Sequence, residues 1–237
     1  MTAFVQRFFP RLARGDFIGA VNKYLDRHAL SSYSQEGEDM ILRRLFETKA
    51  VGFYVDVGAH HPKRFSNTYF FYKRGWSGIN IDAMPGSMAA FNQYRRRDIN
   101  LEAGVGDRRG SLEYYMFNEP ALNSFSKDLS ERRHGENSQY RIATTAQVEL
   151  RPLAEILDEH LAENKEIDFL SVDVEGFDLN VLRSNDWKKH RPRYVLSEIL
   201  ESNLQEIWKD PVTQYMKKQD YKVYAKCVNT VFLERSD

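Results

Sequence analysis

The chain has 237 residues, enough for one domain with a short appendage and for a core that needs no disulfide bonds. Its 34 basic and 34 acidic side chains give a net charge of 0, which argues against a dedicated nucleic-acid-binding protein, and 42% hydrophobic residues exclude a disordered chain. The single cysteine, Cys227, excludes a disulfide framework and a cysteine-built zinc site, so we expect a reducing, cytoplasmic location.

Residues 1–33 are predicted to form a helical N-terminal arm that precedes a single domain at 34–237. Apolar residues recur at helical spacing in two groups, which Pro10 and Gly15 separate. Basic residues interrupt the apolar stretch, so it does not fit a secretory signal. We favour packing of the arm on its own domain, and a peripheral contact with a membrane surface or a partner is the alternative.

Short apolar runs alternate with helical stretches from Ser34 onward. Predicted strands cover 52–58, 77–85, 99–107, 110–117, 167–176 and 193–200, and a final hairpin covers 221–235. Predicted helices cover 38–46, 65–74, 86–95, 152–163, 177–183 and 211–218, and the polar segment 118–147 is predicted to be a long loop or lid. This alternation predicts an α/β fold with a mostly parallel, doubly wound sheet, to which the hairpin adds antiparallel edge strands.

The ends of the predicted strands carry the residues most suited to binding a ligand, because ligands of open α/β sheets bind beyond the carboxyl ends of the strands. Gly58 follows the first strand directly, where it would let a ligand approach the backbone. Asp82 ends the second strand, and an acid there can accept hydrogen bonds from both hydroxyls of a ribose. Asp107 and Asp173 follow two later strands, so the sequence predicts an acidic crevice.

Several common motifs are absent from the sequence. The dinucleotide fingerprint G-x-G-x-x-G has only a near match at 104–110, in which Arg109 replaces the third glycine. The P-loop, H-E-x-x-H and G-x-S-x-G motifs do not occur. These absences argue against a dinucleotide-dependent oxidoreductase, a P-loop nucleotidase, a zincin and a common α/β-hydrolase.

Six segments in this order resemble the FkbM family of S-adenosylmethionine-dependent methyltransferases: SQEGED (34–39), FYVDVGAHHP (53–62), SNT (66–68), GWSGINIDAMP (75–85), AGVGD (103–107) and DFLSVDVEGFD (168–178). The resemblance implies a Rossmann-like class I methyltransferase fold and S-adenosylmethionine as the cofactor. It also implies O-methylation, often of a sugar hydroxyl. His60, His61 and Pro62 stand where many methyltransferases have another glycine, which predicts a stiffer turn.

The resemblance assigns cofactor contacts to residues in or near these segments. Gly58 and Ala59 would lie against the methionyl part, and Asp56 would hydrogen-bond the turn or the cofactor's amino group. Asp82 would hold the ribose hydroxyls, and Asp107 with Gly106 would lie by the adenine. The remaining predicted cofactor residues are Gln35, Glu38, Asn67, Ala83, Ser124 and Asp173. Helix capping is the alternative for Gln35, Glu38 and Asn67.

Methyl transfer to an alcohol is helped by a positioned base. The predicted catalytic residues are His60, His61, Asp173 and Glu175, with Glu198 as a further candidate for the base. The histidines are favoured because imidazole titrates near physiological pH. Asp173 and Glu175 would also suit a divalent cation, since hard cations bind oxygen, but the sequence alone assigns no metal ligands.

The expected substrate is a carbohydrate or glycan precursor, with no nucleic-acid partner, and a homo-oligomer is left open. One alternative is a methyltransferase for a non-sugar small molecule or a lipid headgroup, which the basic arm would suit. The other is a non-catalytic scaffold that keeps the cofactor fold. Acids at successive strand ends argue against the scaffold.

Overall fold

The computed structural model describes residues 28–136, 139–163, 165–200 and 202–236, so the helices predicted for the N-terminal arm lie outside the described residues. A compact unit spans Tyr33–Asp237. Within the described part of the chain, no helix combines the length and the apolar character that crossing a membrane would require.

In the described part of the chain the strands are β1 (Phe53–Val57), β2 (Ser77–Asp82), β3 (Ile99–Glu102), β4 (Gly104–Val105), β5 (Gly110–Phe117), β6 (Ile142–Arg151), β7 (Phe169–Val172), β8 (Tyr194–Glu198), β9 (Tyr221–Lys226) and β10 (Thr230–Arg235). The helices are α1 (Glu38–Leu45), α2 (Tyr69–Lys73), α3 (Met88–Tyr94), α4 (Lys127–Glu136), α5 (Leu153–His160), α6 (Asp178–Arg183) and α7 (Pro211–Lys218).

Seven strands form the main sheet in the order β3-β2-β1-β7-β8-β10-β9. The first five of these strands are parallel, and β10 is antiparallel to both β8 and β9. The prediction of a mostly parallel Rossmann-like sheet with a C-terminal antiparallel hairpin is therefore confirmed. Of the two hairpin strands, only β9 lies at an edge of the sheet, because β10 inserts between β8 and β9.

Both faces of the sheet are covered, which is why its central strands are mostly apolar. All five residues of β1 are buried. Its side chains alternate between the faces, as the period of a strand requires: Val55 and Val57 pack in one hydrophobic cluster and Tyr54 in the other. The first cluster also takes in α5, α6 and α7, and the second takes in α1 and α2.

The prediction of a long loop over 118–147 is wrong. This segment contains a 3₁₀ turn at Pro120–Leu122, helix α4 and the first part of β6. Strand β6 pairs with β5 and β4 in a second sheet of order β4-β6-β5. One face of β6 is exposed, so half of its residues are polar, and the surface of α4 is polar as well. Their composition therefore resembles that of a loop.

The single strand predicted over 99–107 is divided between the two sheets. Strand β3 ends at Glu102 in the main sheet, and Gly104–Val105 pairs with β6 in the second sheet. A Cβ atom at Gly104 would lie 2.6 Å from Cδ2 of Leu150 and 3.0 Å from the carbonyl oxygen of Glu149, so glycine lets β4 pack closely against β6. The second sheet consequently begins beside the carboxyl end of the main sheet.

Candidate functional site

A cleft lies beyond the carboxyl ends of β1, β2 and β7, with residues of β8 and β10 contributing to its wall. Its volume is about 870 Å³, including the space open to solvent at its mouth. The strand order reverses between β1 and β7, and this is the position where open α/β sheets bind ligands. The segment before α1 and residues of the second sheet complete the walls.

Gly58 forms the floor of the cleft and connects two of the strand ends. Its φ angle is 83°, and a Cβ atom there would lie 1.8 Å from the carbonyl oxygen of Asp173. The N–H groups of Gly58 and Ala59 both donate to the carbonyl of Ile81, at 2.9 and 3.1 Å. Only glycine allows the turns after β1 and β7 to approach this closely.

Asp82 lies at the end of β2, is only 7% exposed and contributes to the cleft wall. Its Oδ2 accepts the N–H of His60 at 2.8 Å, and its Oδ1 accepts the N–H of Met84 at 2.8 Å. Burial raises the pKa of Asp82, while these two N–H groups act in the opposite direction. Each carboxylate oxygen has a second lone pair, so Asp82 can also accept from a ligand.

The two adjacent histidines have different environments. His60 lines the cleft at a φ of 54°, its ring lies 6.2 Å from that of Phe65, and its Nε2 is buried with no hydrogen-bond partner. Burial lowers the pKa of His60. His61 does not line the cleft, and its Nδ1 accepts the N–H groups of Lys63 and Arg64 at 3.0 and 2.9 Å. His61 therefore closes a local turn.

Three carboxylates meet at one end of the cleft. Asp173 and Glu175 lie in the turn after β7, Glu198 ends β8, and one oxygen of each lies within 4.8 Å of the others. Glu175, at a φ of 54°, accepts from Nη2 of Arg133 at 2.6 Å. Loss of hydration raises the pKa of all three carboxyl groups, and neighbouring carboxylates raise those of Asp173 and Glu198 further. Asp173 itself is open to the cleft.

The walls of the cleft are strongly acidic. None of the described residues that line it is lysine or arginine. Six of them are acidic: Glu36, Glu38, Asp82, Asp173, Glu175 and Glu198. A phosphate or pyrophosphate would be repelled by this lining, whereas a cation or a neutral hydroxyl-bearing molecule would not. The charge of the cleft thus agrees with the absence of a dinucleotide fingerprint.

Eight of the sequence-predicted site residues line the cleft: Gln35, Glu38, Gly58, His60, Asp82, Ala83, Asp173 and Glu175. Glu38 is buried, and its carboxylate accepts from the Thr230 hydroxyl at 3.0 Å and from the Glu36 N–H at 2.9 Å. These bonds join the segment before α1 to β10, so residues at opposite ends of the domain contribute to the same wall.

Asp56 and Asn67 lie behind the cleft wall and do not line it. Asp56 is buried within β1 and accepts the hydroxyl of Thr68 at 3.0 Å, and burial raises its pKa to about 6. The Arg95 side chain, which is fully buried, lowers this pKa and itself donates to Thr68 at 2.9 Å. Asn67 donates to the Ser171 hydroxyl at 3.1 Å. Both residues thus support the strand ends from within.

Four other predicted cofactor residues also lie outside the cleft lining. Ala59 is buried against α3, Gly106 packs against Leu150, and Asp107 is exposed on the surface. Ser124 donates to the carbonyl of Glu175 at 2.7 Å and so holds the turn after β7 in place.

Sequence reasoning missed the aromatic wall that the second sheet supplies. Tyr114 of β5 and Phe125 lie with their ring centroids 4.6 Å apart, and both line the cleft with Asn123. Burial raises the pKa of Tyr114 far above its usual range, so its hydroxyl stays protonated. Phe125 and Asn123 fall in the segment that was predicted to be a loop, and no sequence motif marks them.

A model of the family described as the methyltransferase FkbM domain matches residues 56–223. A comparison with curated proteins gave no match. Among solved structures, the O-methyltransferase from Bacillus cereus in complex with SAH is 10% identical, with a TM-score of 0.42 over 98% of this chain and 94% of that chain. The Burkholderia thailandensis 1,6-didemethyltoxoflavin-N1-methyltransferase is 11% identical, with a TM-score of 0.42 over 94% of this chain and 87% of that chain.

Proposed function

The chain belongs to the methyltransferase FkbM domain family, and on that premise we propose that it is an S-adenosylmethionine-dependent O-methyltransferase for a sugar hydroxyl of a glycan or glycan precursor. The observation that carries the proposal is the acidic cleft above Gly58, with Asp82 on one side and the three carboxylates of Asp173, Glu175 and Glu198 at one end. When bound, S-adenosylmethionine supplies an electrophilic methyl group on a positively charged sulfur.

The residues of the cleft fit this cofactor. The remaining lone pairs of Asp82 would accept the ribose hydroxyls, and the rings of Tyr114 and Phe125 offer an apolar surface for the adenine. The acidic lining favours a sulfonium cation, and Glu38 would accept from the cofactor's amino group.

In the proposed reaction, the O–H bond of the acceptor breaks and an O–CH₃ bond forms. S-adenosylmethionine would supply the methyl group and would keep the electron pair of its methyl–sulfur bond. His60 takes the hydroxyl proton, because its lowered pKa keeps the ring neutral at pH 7 and leaves one ring nitrogen able to accept. The walls hold the acceptor oxygen in line with the methyl group, which supplies much of the acceleration.

The charge of the cleft supports a neutral sugar as the acceptor. Carboxylates accept hydrogen bonds from vicinal hydroxyls, and Asp173, Glu175 and Glu198 lie close enough together to serve adjacent hydroxyls of one ring. A phosphorylated lipid headgroup would meet six carboxylates without a lysine or arginine among the described lining residues. This disfavours the lipid alternative.

The proposal is tested with the full chain by calorimetric titration of S-adenosylhomocysteine, followed by transfer of labelled methyl to a panel of neutral oligosaccharides. We expect a single binding site, and mass spectrometry should place the new methyl group on a sugar oxygen. Failure to bind S-adenosylhomocysteine would contradict the cofactor assignment. Methyl transfer only to nitrogen acceptors or to phospholipid would contradict the acceptor class.

A further inference from the structure

We propose that the ring of Phe65 is a stacking platform for one pyranose ring of the acceptor, beside the assigned base His60. This inference rests on the proposed methyltransferase function and names a side chain that selects sugars among hydroxyl-bearing acceptors. It gives the cleft an apolar contact for the acceptor, in addition to the carboxylates that accept its hydroxyl groups.

Phe65 is the exposed aromatic side chain of the cleft. It lines the cleft and is 38% exposed, whereas Tyr114 and Phe125 are parts of the wall with exposures of 7% and 8%. Of the large apolar side chains that are exposed in the described ranges, no other lines the cleft. The ring therefore offers apolar surface that a ligand in the cleft can cover.

The backbone at Phe65 is strained. Its φ angle is 54°, in the left-handed region that bulky side chains rarely adopt. Among the described residues, the others with a positive φ, apart from glycines, are His60, Glu175 and Asp220, and of these only Asp220 does not line the cleft. Glycine would adopt this conformation without strain, so the fold alone does not require phenylalanine here. Strain of this kind concentrates at ligand sites, where the side chain itself is needed.

Arg64 fixes the orientation of the Phe65 ring. Its guanidinium carbon lies 4.2 Å from the ring centroid, which is the geometry of a cation–π contact. Nη1 and Nη2 of Arg64 donate to the two carboxylate oxygens of Glu119, both at 3.2 Å. Glu119 precedes Pro120 and Ala121, which line the cleft. The ion pair is largely exposed and adds little stability, so its effect is to hold the ring in one orientation.

A neutral sugar matches the two kinds of surface that the cleft presents. One face of a pyranose ring carries C–H groups, and the face of an aromatic ring is electron-rich and attracts their hydrogens. The rim of the sugar carries hydroxyls, which carboxylates accept. Phe65 supplies the first contact and the acidic lining supplies the second.

The position of Phe65 suits the proposed chemistry. The rings of Phe65 and His60 have centroids 6.2 Å apart and planes only 21° from parallel. A sugar that stacks on Phe65 would thus bring its hydroxyl rim toward the assigned base. The adenine of the cofactor is the competing occupant of this ring, and the experiment separates the two.

The test is saturation-transfer NMR on the full chain loaded with S-adenosylhomocysteine. The probes are the methyl glycosides of glucose, galactose and mannose, and saturation is applied to the aromatic protons of the protein. We expect transfer to the C–H protons of at least one glycoside and a loss of most of that signal in Phe65→Leu. The acceptor KM in methyl transfer to neutral oligosaccharides should rise roughly tenfold in Phe65→Leu and stay within about twofold in Phe65→Tyr. The affinity for S-adenosylhomocysteine should not change.

Two further variants serve as controls. Tyr94→Leu removes an exposed ring that lies outside the cleft and has Nζ of Lys63 3.9 Å from its centroid, so it should bind the glycosides like the wild type. Phe65→Gly should lose sugar binding as Phe65→Leu does. Its Tm should stay near that of the wild type, because relief of the strained φ offsets the lost packing.

Equal glycoside binding by Phe65→Leu and the wild type would overturn the platform. So would a loss of S-adenosylhomocysteine affinity with unchanged glycoside binding, because the ring would then contact the cofactor. A wild type that transfers saturation to none of the glycosides would overturn it as well. Saturation transfer that depends on Phe65, without methyl transfer to any sugar, would support the platform and overturn the proposed activity instead.

Discussion

The backbone N–H of His60 donates to Oδ2 of Asp82 at 2.8 Å, which ties the turn after β1 to the end of β2. The acid assigned to the ribose therefore also holds the turn that carries the assigned base. Substitution at Asp82 will consequently affect both the cofactor's sugar and the position of the histidine ring.

Asp82→Ala should weaken binding of S-adenosylhomocysteine by roughly tenfold or more, because it removes the ribose acceptor and the acceptor for two main-chain N–H groups. Asp82→Asn keeps one oxygen and should lose less. Calorimetric titration measures both effects, and circular dichroism checks the fold. Affinity equal to that of the wild type in Asp82→Ala would refute the ribose assignment.

Gly58→Ala should abolish cofactor binding and destabilise the domain by about 3 kcal/mol or more, since the new methyl group would strike the carbonyl of Asp173. Gly86→Ala is the matched control: Gly86 has a φ of 82°, but a Cβ atom there meets nothing within 4 Å. That variant should lose only about 1 kcal/mol of stability, from the strain of an alanine in the left-handed region. Urea unfolding compares the two, and similar losses would mean that the close approach at Gly58 is unimportant.

The main sheet and the floor of the cleft could be predicted from the sequence for a physical reason. Buried parallel strands leave nearly continuous apolar runs such as 53–57, in which only Asp56 is polar, and their ends mark the binding edge. Of the second sheet, only β5 was predicted, because the first part of β6 is exposed and carries the adjacent polar residues Thr144 and Thr145, and α4 is polar on most of its surface. The aromatic wall from Tyr114 and Phe125 was missed with it.

The position of a residue near the end of a strand does not determine which way its side chain points. Asp56 lies one residue before Val57 in a central strand, and its side chain is buried behind the wall, where Thr68 and Arg95 surround it. Glu198 is 25 residues from Asp173 in the chain, and only the pairing of β7 with β8 brings them together. The order of strands in a sheet is a tertiary property that local patterns do not specify.

His60→Ala should reduce turnover by about 100-fold with little change in S-adenosylhomocysteine affinity, because the His60 ring faces the cleft while its main chain, which contacts Asp82, is retained. His61→Ala should leave turnover within a few-fold of the wild type, with a loss of about 1 kcal/mol of stability from the two N–H groups that its ring accepts. Steady-state kinetics and urea unfolding separate these effects. Parallel losses of turnover and affinity in both variants would make the histidines structural.

The raised pKa of Asp56 makes a prediction about stability and pH. The folded state binds the proton with a pKa of about 6, against an ordinary value of 3.8, so this group makes the protein less stable as the pH rises through 6. Below about pH 6, Asp56 is protonated in the folded state, so no charge is buried there. Above it, the full cost of the buried charge remains.

Asp56→Asn removes this titration and keeps an oxygen that can accept the Thr68 hydroxyl. The free energy of unfolding of the variant minus that of the wild type should therefore increase by about 1 kcal/mol between pH 5 and pH 7.5. Urea unfolding of both proteins in chelator measures this difference in the free energy of unfolding. The contributions of the other acidic groups largely cancel, because both proteins contain them. If the difference does not increase with pH, the pKa of Asp56 is not raised in the folded protein, and Arg95 compensates its charge.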